Sequence, residues 1–187
     1  MGRYDLGPRV LGLCSLYPGE TARPTRHERL LAAARQGTLE TARPAAALAP
    51  APITETEAEA RLLVLVNQDR RRAGLPALQP AAALGALARS HSRDMREHDF
   101  FAHVSPRTGK LSDRAEAAGI RYRRLAENIA VNRDVDNAEA ALLRSPGHRM
   151  NLLSPQFTRI GVGVAFDQDS QGNRRLHVTQ VFMLPAP

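Results

Sequence analysis

Residues 159–183 constrain the fold more than any other stretch of this chain. RIGVGVAFDQ places Ile160, Val162, Val164 and Phe166 on alternate positions, and RLHVTQVFM alternates in the same way through Val178 and Phe182. The intervening DQDSQGN is rich in turn formers, so the pair predicts a β-hairpin with a connection longer than two residues. Gly161 and Gly163 fall on the opposite face of the first strand. A strand face without side chains admits the close approach of a helix or another backbone. The GVG triplet is not read as a phosphate loop, because neither a helix signal nor a lysine follows it.

Upstream, the period is helical. Thr54-Glu55-Thr56-Glu57 reads as a capping box, Ala58, Leu62, Leu65 and Val66 form one face, and Gly74 supplies the stop. Arg70, Arg71 and Arg72 suit the negative pole of that helix and predict a solvated end. A second helix is expected from near Pro80, with a stripe of Leu84, Leu87, Ala88, His91, Met95 and His98. A third runs from Ser112 or Asp113 to Ala118 and stops at Gly119; a fourth covers about 137–143. Ser145-Pro146 predicts an N-cap and first-turn proline for a short helix ending near Leu152, and Glu127–Val131 predicts a further strand. Helices followed by mixed strands and a hairpin imply an α+β fold, layered α-β-α, in one domain over 54–187.

Residues 1–53 differ. They hold Pro8, Pro18, Pro24, Pro44, Pro50 and Pro52 and the tract ARPAAALAPAP, which predicts a poorly ordered extension or linker with one short helix near 26–35. The apolar run in RVLGLCSLYPGE is interrupted at Pro18, too early for a convincing signal peptide, and Leu13 before Cys14 is too bulky for a lipoprotein cleavage box. Cys14 is the only cysteine, so an intrachain disulfide and a multi-cysteine metal site are excluded, and any metal must be held by His and carboxylates. No apolar run approaches 18 residues, so no transmembrane segment is expected. The 26 basic and 19 acidic residues are spread along the chain, with 7 and 4 of them before residue 54. Without a concentrated basic face, and with no Trp, the chain is not expected to bind nucleic acid.

No HExxH, GxSxG, GxxxxGK[ST] or CxxC motif is present. Three candidates remain beside turns: His103 in FFAHVSP, Glu127 in AENIA and His148 in SPGHRMN. Imidazole and carboxylate suit a zinc-like ion and acid–base work alike, but separations of 24 and 21 residues require the fold to gather them. Each has a structural alternative. His103 can cap the preceding helix, Glu127 can pair with Arg124 or Arg149, and His148 can bond backbone at its helix start. His91 and His98 are expected at the core edge and His177 at the surface.

LVNQDRRRAGLPALQPAAALGALARSHSRDM, FFAHVSP, AENIA, SPGHRMNLLSPQFTRIGVGV and LHVTQVF, in that order, resemble the cysteine-poor bacterial branch of the CAP superfamily (cysteine-rich secretory proteins, antigen 5, pathogenesis-related proteins; the SCP domain). The likeness covers about residues 57–184. It implies a three-layer α-β-α sandwich with a central antiparallel sheet and a cleft of two His and two acids that binds zinc in some members. His103, Glu127 and His148 match three of those four positions as metal ligands. The fourth is a Glu three residues after a Trp; here Leu142 and Ser145 stand at those places. The resemblance therefore implies zinc or another divalent cation weakly held. Without a second acid there is no evident general base, so no catalytic residue is assigned. The expected function is a secreted or cell-envelope binding module, monomeric, for a lipid-like, glycan or protein ligand. The alternative is a metal-dependent, protease-like hydrolase using the same cleft.

Overall fold

The computed structural model describes residues 53–187 together with Arg9–Val10. The helix expected near 26–35 and the order of the rest of 1–52 lie outside the described residues. Strand β1 (Arg9–Val10) pairs antiparallel with Ala130 and Val131 of β3 (Tyr122–Asn132).

Helix α1 (Glu55–Arg72) begins at the expected capping box: Glu57 N donates to Thr54 Oγ1 (3.2 Å) and Thr54 N to Glu57 Oε2 (2.8 Å). Gly74, at φ 72°, takes the left-handed conformation that ends it. Arg70 departs from the expected solvated end. It is 1% exposed, because its guanidinium reaches back under the fold and donates to the carbonyls of Pro76, Leu152 and Ser154. Arg71 and Arg72 remain exposed.

Pro80 lies in a two-residue strand, β2 (Gln79–Pro80), and not at a helix start. Gln79 N and Ala81 N, on either side, donate to the carbonyls of Thr158, just before β4 (Arg159–Gln168), and of Ile160 within it. A proline between them costs no ladder bond, since its nitrogen points away. This edge pair is parallel, whereas β3 and β4 each pair antiparallel with β5 (Arg174–Pro185), as expected. The sheet order is β1-β3-β5-β4-β2, with β5 central.

Helices cover both faces, which makes the three layers. Helices α1, α4 (Val135–Arg144) and α5 (Pro146–Leu152) pack Leu62, Leu142 and Leu152 against Ile160, Val162, Val178 and Phe182. On the other face, α2 (Ala82–Glu97) and α3 (Leu111–Ala117) bury Leu84, Leu87, Ala88 and Ala115 against Val181 and Met183. Gly161 and Gly163 explain how close α2 comes: a Cβ on either would lie 2.1 Å from backbone atoms of Leu84 or Arg89. The edge of β4 is closed by α1, whose Glu59 and Glu55 accept from Val164 N (3.2 Å) and Phe166 N (3.1 Å).

His177, expected at the surface, is 2% exposed. Alternation puts it opposite Val178, but β5 is the central strand with helices on both faces, so neither face meets solvent. His91 is buried as expected, while His98, one turn past the last buried residue of the α2 stripe, is exposed.

Candidate functional site

His103 and Glu127 meet. Glu127 projects from β3 onto the α2–α3 face and is 8% exposed, while His103 sits in the loop after α2 with its side chain 44% exposed. His103 Nδ1 lies 3.0 Å from Glu127 Oε1. Neither Arg124 nor Arg149 pairs with Glu127; the buried Arg114 of α3 does, at 3.2 Å from Oε1 and 3.0 Å from Oε2. The same Nη2 donates to the His103 carbonyl (3.0 Å), so one guanidinium fixes both the acid and the loop carrying the imidazole. Beside a cation the carboxylate is ionised and can only accept. His103 Nδ1 is therefore the donor in this bond, and no described residue bonds its Nε2.

His91 stands behind this pair, with Nε2 3.8 Å from Glu127 Oε1 and 3.1 Å from the Ala102 carbonyl. A carbonyl only accepts, so Nε2 is the protonated nitrogen and Nδ1 is left buried without a partner among the described residues. Burial holds the His91 pKa down. Arg114 Nε and Nη1 are likewise buried and unpartnered among the described residues. Native folds rarely leave such groups unpaired away from functional sites.

His148 occupies the first turn of α5 and is 4% exposed. Ser145 is the N-cap, but its hydroxyl makes no cap bond; it meets His148 Nδ1 at 2.9 Å. The His148 carbonyl accepts from Asn128 Nδ2 (3.2 Å), one residue after Glu127, which ties α5 to β3. Burial, and then the field of His103, push the His148 pKa down to about 4, so the ring is neutral at pH 7.

The fold thus brings His103 to Glu127 and places His148 within the electrostatic reach of His103. Among the described residues, no three His, Cys, Asp or Glu side chains are placed to hold one ion. Glu127 is ion-paired with Arg114, although its Oε2 makes no hydrogen bond among the described residues; the imidazoles of His103 and His148 are the other candidate donors. Each Nδ1 has an oxygen partner, and no described residue bonds either Nε2. An oxygen that takes a proton from Nδ1, with Nε2 left unbonded, is the pattern of a metal-binding histidine; at His148 it requires the Ser145 hydroxyl to accept. Arg114, His91 and Asn128 are members the sequence reading missed. Only the i, i+1 placement of Glu127 and Asn128 beside an apolar strand hinted at them.

A separate groove of about 400 Å³ runs along the outside of α2, lined by Arg89, Arg93, Asp94, Glu97 and Arg107. Its charges pair among themselves and with neighbours: Arg89 with Glu59 (2.8 Å) and Asp94 with Ser105 (2.6 Å). None of the three expected ligands lines it.

The sequence model of the cysteine-rich secretory protein family, CAP, matches residues 63–182. The uncharacterised protein YkwD of Bacillus subtilis is 36% identical over 150 residues, covering 77% of this chain and 58% of that protein. An uncharacterised membrane protein of the same organism, YlbC, is 39% identical over 105 residues, covering 56% and 30%. The chain thus spans less than two thirds of either relative's length. Among solved structures, an extracellular protein containing an SCP domain from Bacillus anthracis is 34% identical with a TM-score of 0.63, over 71% of this chain and 44% of that one. An outer surface protein from Borrelia burgdorferi, 18% identical, shares the fold with a TM-score of 0.61 over 72% and 97%.

Proposed function

The chain belongs to the cysteine-rich secretory protein (CAP) family, and from that premise we propose that it is an extracytoplasmic binding module whose cleft weakly holds a divalent cation between His103 and His148. One observation carries this reading: both imidazoles have Nδ1 engaged, by Glu127 and by Ser145, with Nε2 left free of described partners. Glu127 then acts as the orienting acid and not as a ligand. Zinc bound there would supply a positive centre for an electron-rich ligand atom. Two neutral ligands and no coordinating carboxylate make for weak affinity.

Binding is favoured over hydrolysis because the Glu127 carboxylate is already ion-paired with Arg114 and hydrogen-bonded to His103, with no second acid at the Ser145 position to serve as a base. The 34% identical extracellular protein supports a place outside the cytoplasm.

Calorimetric titration with Zn²⁺ tests the site. We expect one weak saturable site in the wild type, lost in His103→Ala and in His148→Ala and kept in His98→Ala. Equal binding by wild type and the His103→Ala/His148→Ala double variant contradicts it.

A further inference from the structure

One buried acid has no part in the cleft as described. Glu139 of α4 is 2% exposed. Its Oε2 accepts from Gln180 Nε2 of β5 (2.6 Å), and Oε1 is buried without a partner among the described residues. Gln180 Oε1 in turn accepts from Asn128 Nδ2 of β3 (3.2 Å), and that nitrogen also donates to the His148 carbonyl (3.2 Å). Asn128 Oδ1 accepts from Asn151 Nδ2 of α5 (2.9 Å). Asn128 and Gln180 are fully buried. Neither amide can turn over: a flipped Asn128 would set its oxygen against two acceptors, and a flipped Gln180 would set its N–H groups against Asn128 Nδ2.

We infer that Glu139 is a positioning residue for the cleft: acting through Gln180 and Asn128, it fixes the His148 carbonyl and so the ring at that end of the site. This rests on the reading of His148 as a binding group. The relay crosses α4, β5, β3 and α5, so the first turn of α5, whose N-cap hydroxyl makes no cap bond, is held from the middle of the sheet.

The surroundings of Glu139 keep it neutral. From α1, Asp69 adds a like charge, while Arg61 is paired with the exposed Asp136 at the edge of the α1–α4 contact. Arg70 is committed to three carbonyls. On this face β3 and β5 offer the uncharged Asn128 and Gln180, and α5 offers His148, itself neutral. Burial pushes the carboxyl up to about 8, despite the Gln180 bond that pulls the other way. Ionisation would put an uncompensated charge on a relay with no alternative hydrogen-bond pattern, so it must shift the groups downstream.

The test is the metal-free, full-length protein followed by histidine NMR from pH 7 to 9.5. The His148 ring itself titrates near pH 4, so a step in its resonances in this window reports another group. We expect a step near pH 8 in the wild type and none in Glu139→Gln, with His177 unmoved in both. Should Glu139→Gln fail to fold, the Asn128 side-chain amide of the wild type decides, since it must move with the same midpoint. Flat His148 or Asn128 resonances in the wild type, or a step that persists in Glu139→Gln, overturn the inference. Because no metal is present, a missing step alongside zinc binding at His103 and His148 refutes the relay alone. A step alongside absent zinc binding refutes the binding-site reading alone.

Discussion

At His103 a carboxylate holds Nδ1, and at His148 a hydroxyl does. A charged acceptor raises the basicity of the opposite nitrogen more than a neutral one, so Ser145 is the weaker half of the pair. Ser145→Asp keeps a good N-cap residue and supplies the carboxylate, and should tighten Zn²⁺ binding by roughly 10-fold or more. Unchanged calorimetric affinity would remove Ser145 from the site. His148 and Glu139 also act on stability from opposite sides. The unfolded chain protonates His148 at about 6.5 and the fold only at about 4, so its contribution is complete above about 6.5 and is lost as pH falls through about 4. Glu139 is held neutral up to about 8 against 4.5 unfolded, so its contribution is complete below about 4.5 and is lost as pH rises through about 8. Urea denaturation should therefore show stability falling between pH 6.5 and 8, by at most about 1.4 kcal/mol per pH unit, and a flat response in Glu139→Gln. A slope shared by both proteins would mean that another group titrates there.

Among the elements, α2 depends most on its neighbour. Its Leu84 is fully buried, and the helix backbone rests directly on Gly161 and Gly163. Leu84→Asp should cost more than about 3 kcal/mol, by burying an unpaired charge and emptying an apolar site. Gly163→Ala should also destabilise markedly, because the neighbour it meets at 2.1 Å is backbone and not a flexible side chain. Thermal midpoints within a degree or two of wild type in either variant would contradict this packing. The glycine pair was legible in the sequence because alternation alone put both on one face. The capping box, the hairpin and the short helix after Ser145 were legible for the same reason: each is written in adjacent residues. Pro80, Arg70 and His177 were not. Their places follow from a parallel partner 80 residues away, from carbonyls across the fold, and from the central position of β5. If ion-paired, Glu127 was expected to pair with Arg124 or Arg149, close in sequence or in the His148 segment; its actual partner Arg114 becomes a neighbour only when α3 docks on β3.

Across the molecule, two helical layers clamp one sheet, and the cleft residues come from both sides of it. His103, Glu127 and Arg114 belong to the α2–α3 face, whereas His148, Ser145 and the Asn128–Gln180–Glu139 relay belong to the other. The proposed site needs all three layers assembled, which is why spacing along the chain could offer candidates for it but not their neighbours. The domain boundary near residue 53 remains a proposal that limited proteolysis can check: a stable core of about 54–187 should survive, and loss of that core after cuts between residues 20 and 50 would refute it. The central claim, that two faces of the sheet contribute one imidazole each to a single binding site, is tested most directly by histidine NMR during a Zn²⁺ titration at pH 7. The account predicts that the His103 and His148 resonances move together and saturate at the same zinc concentration, while His177 stays still. Responses at different concentrations, or no larger than that of His177, would contradict it.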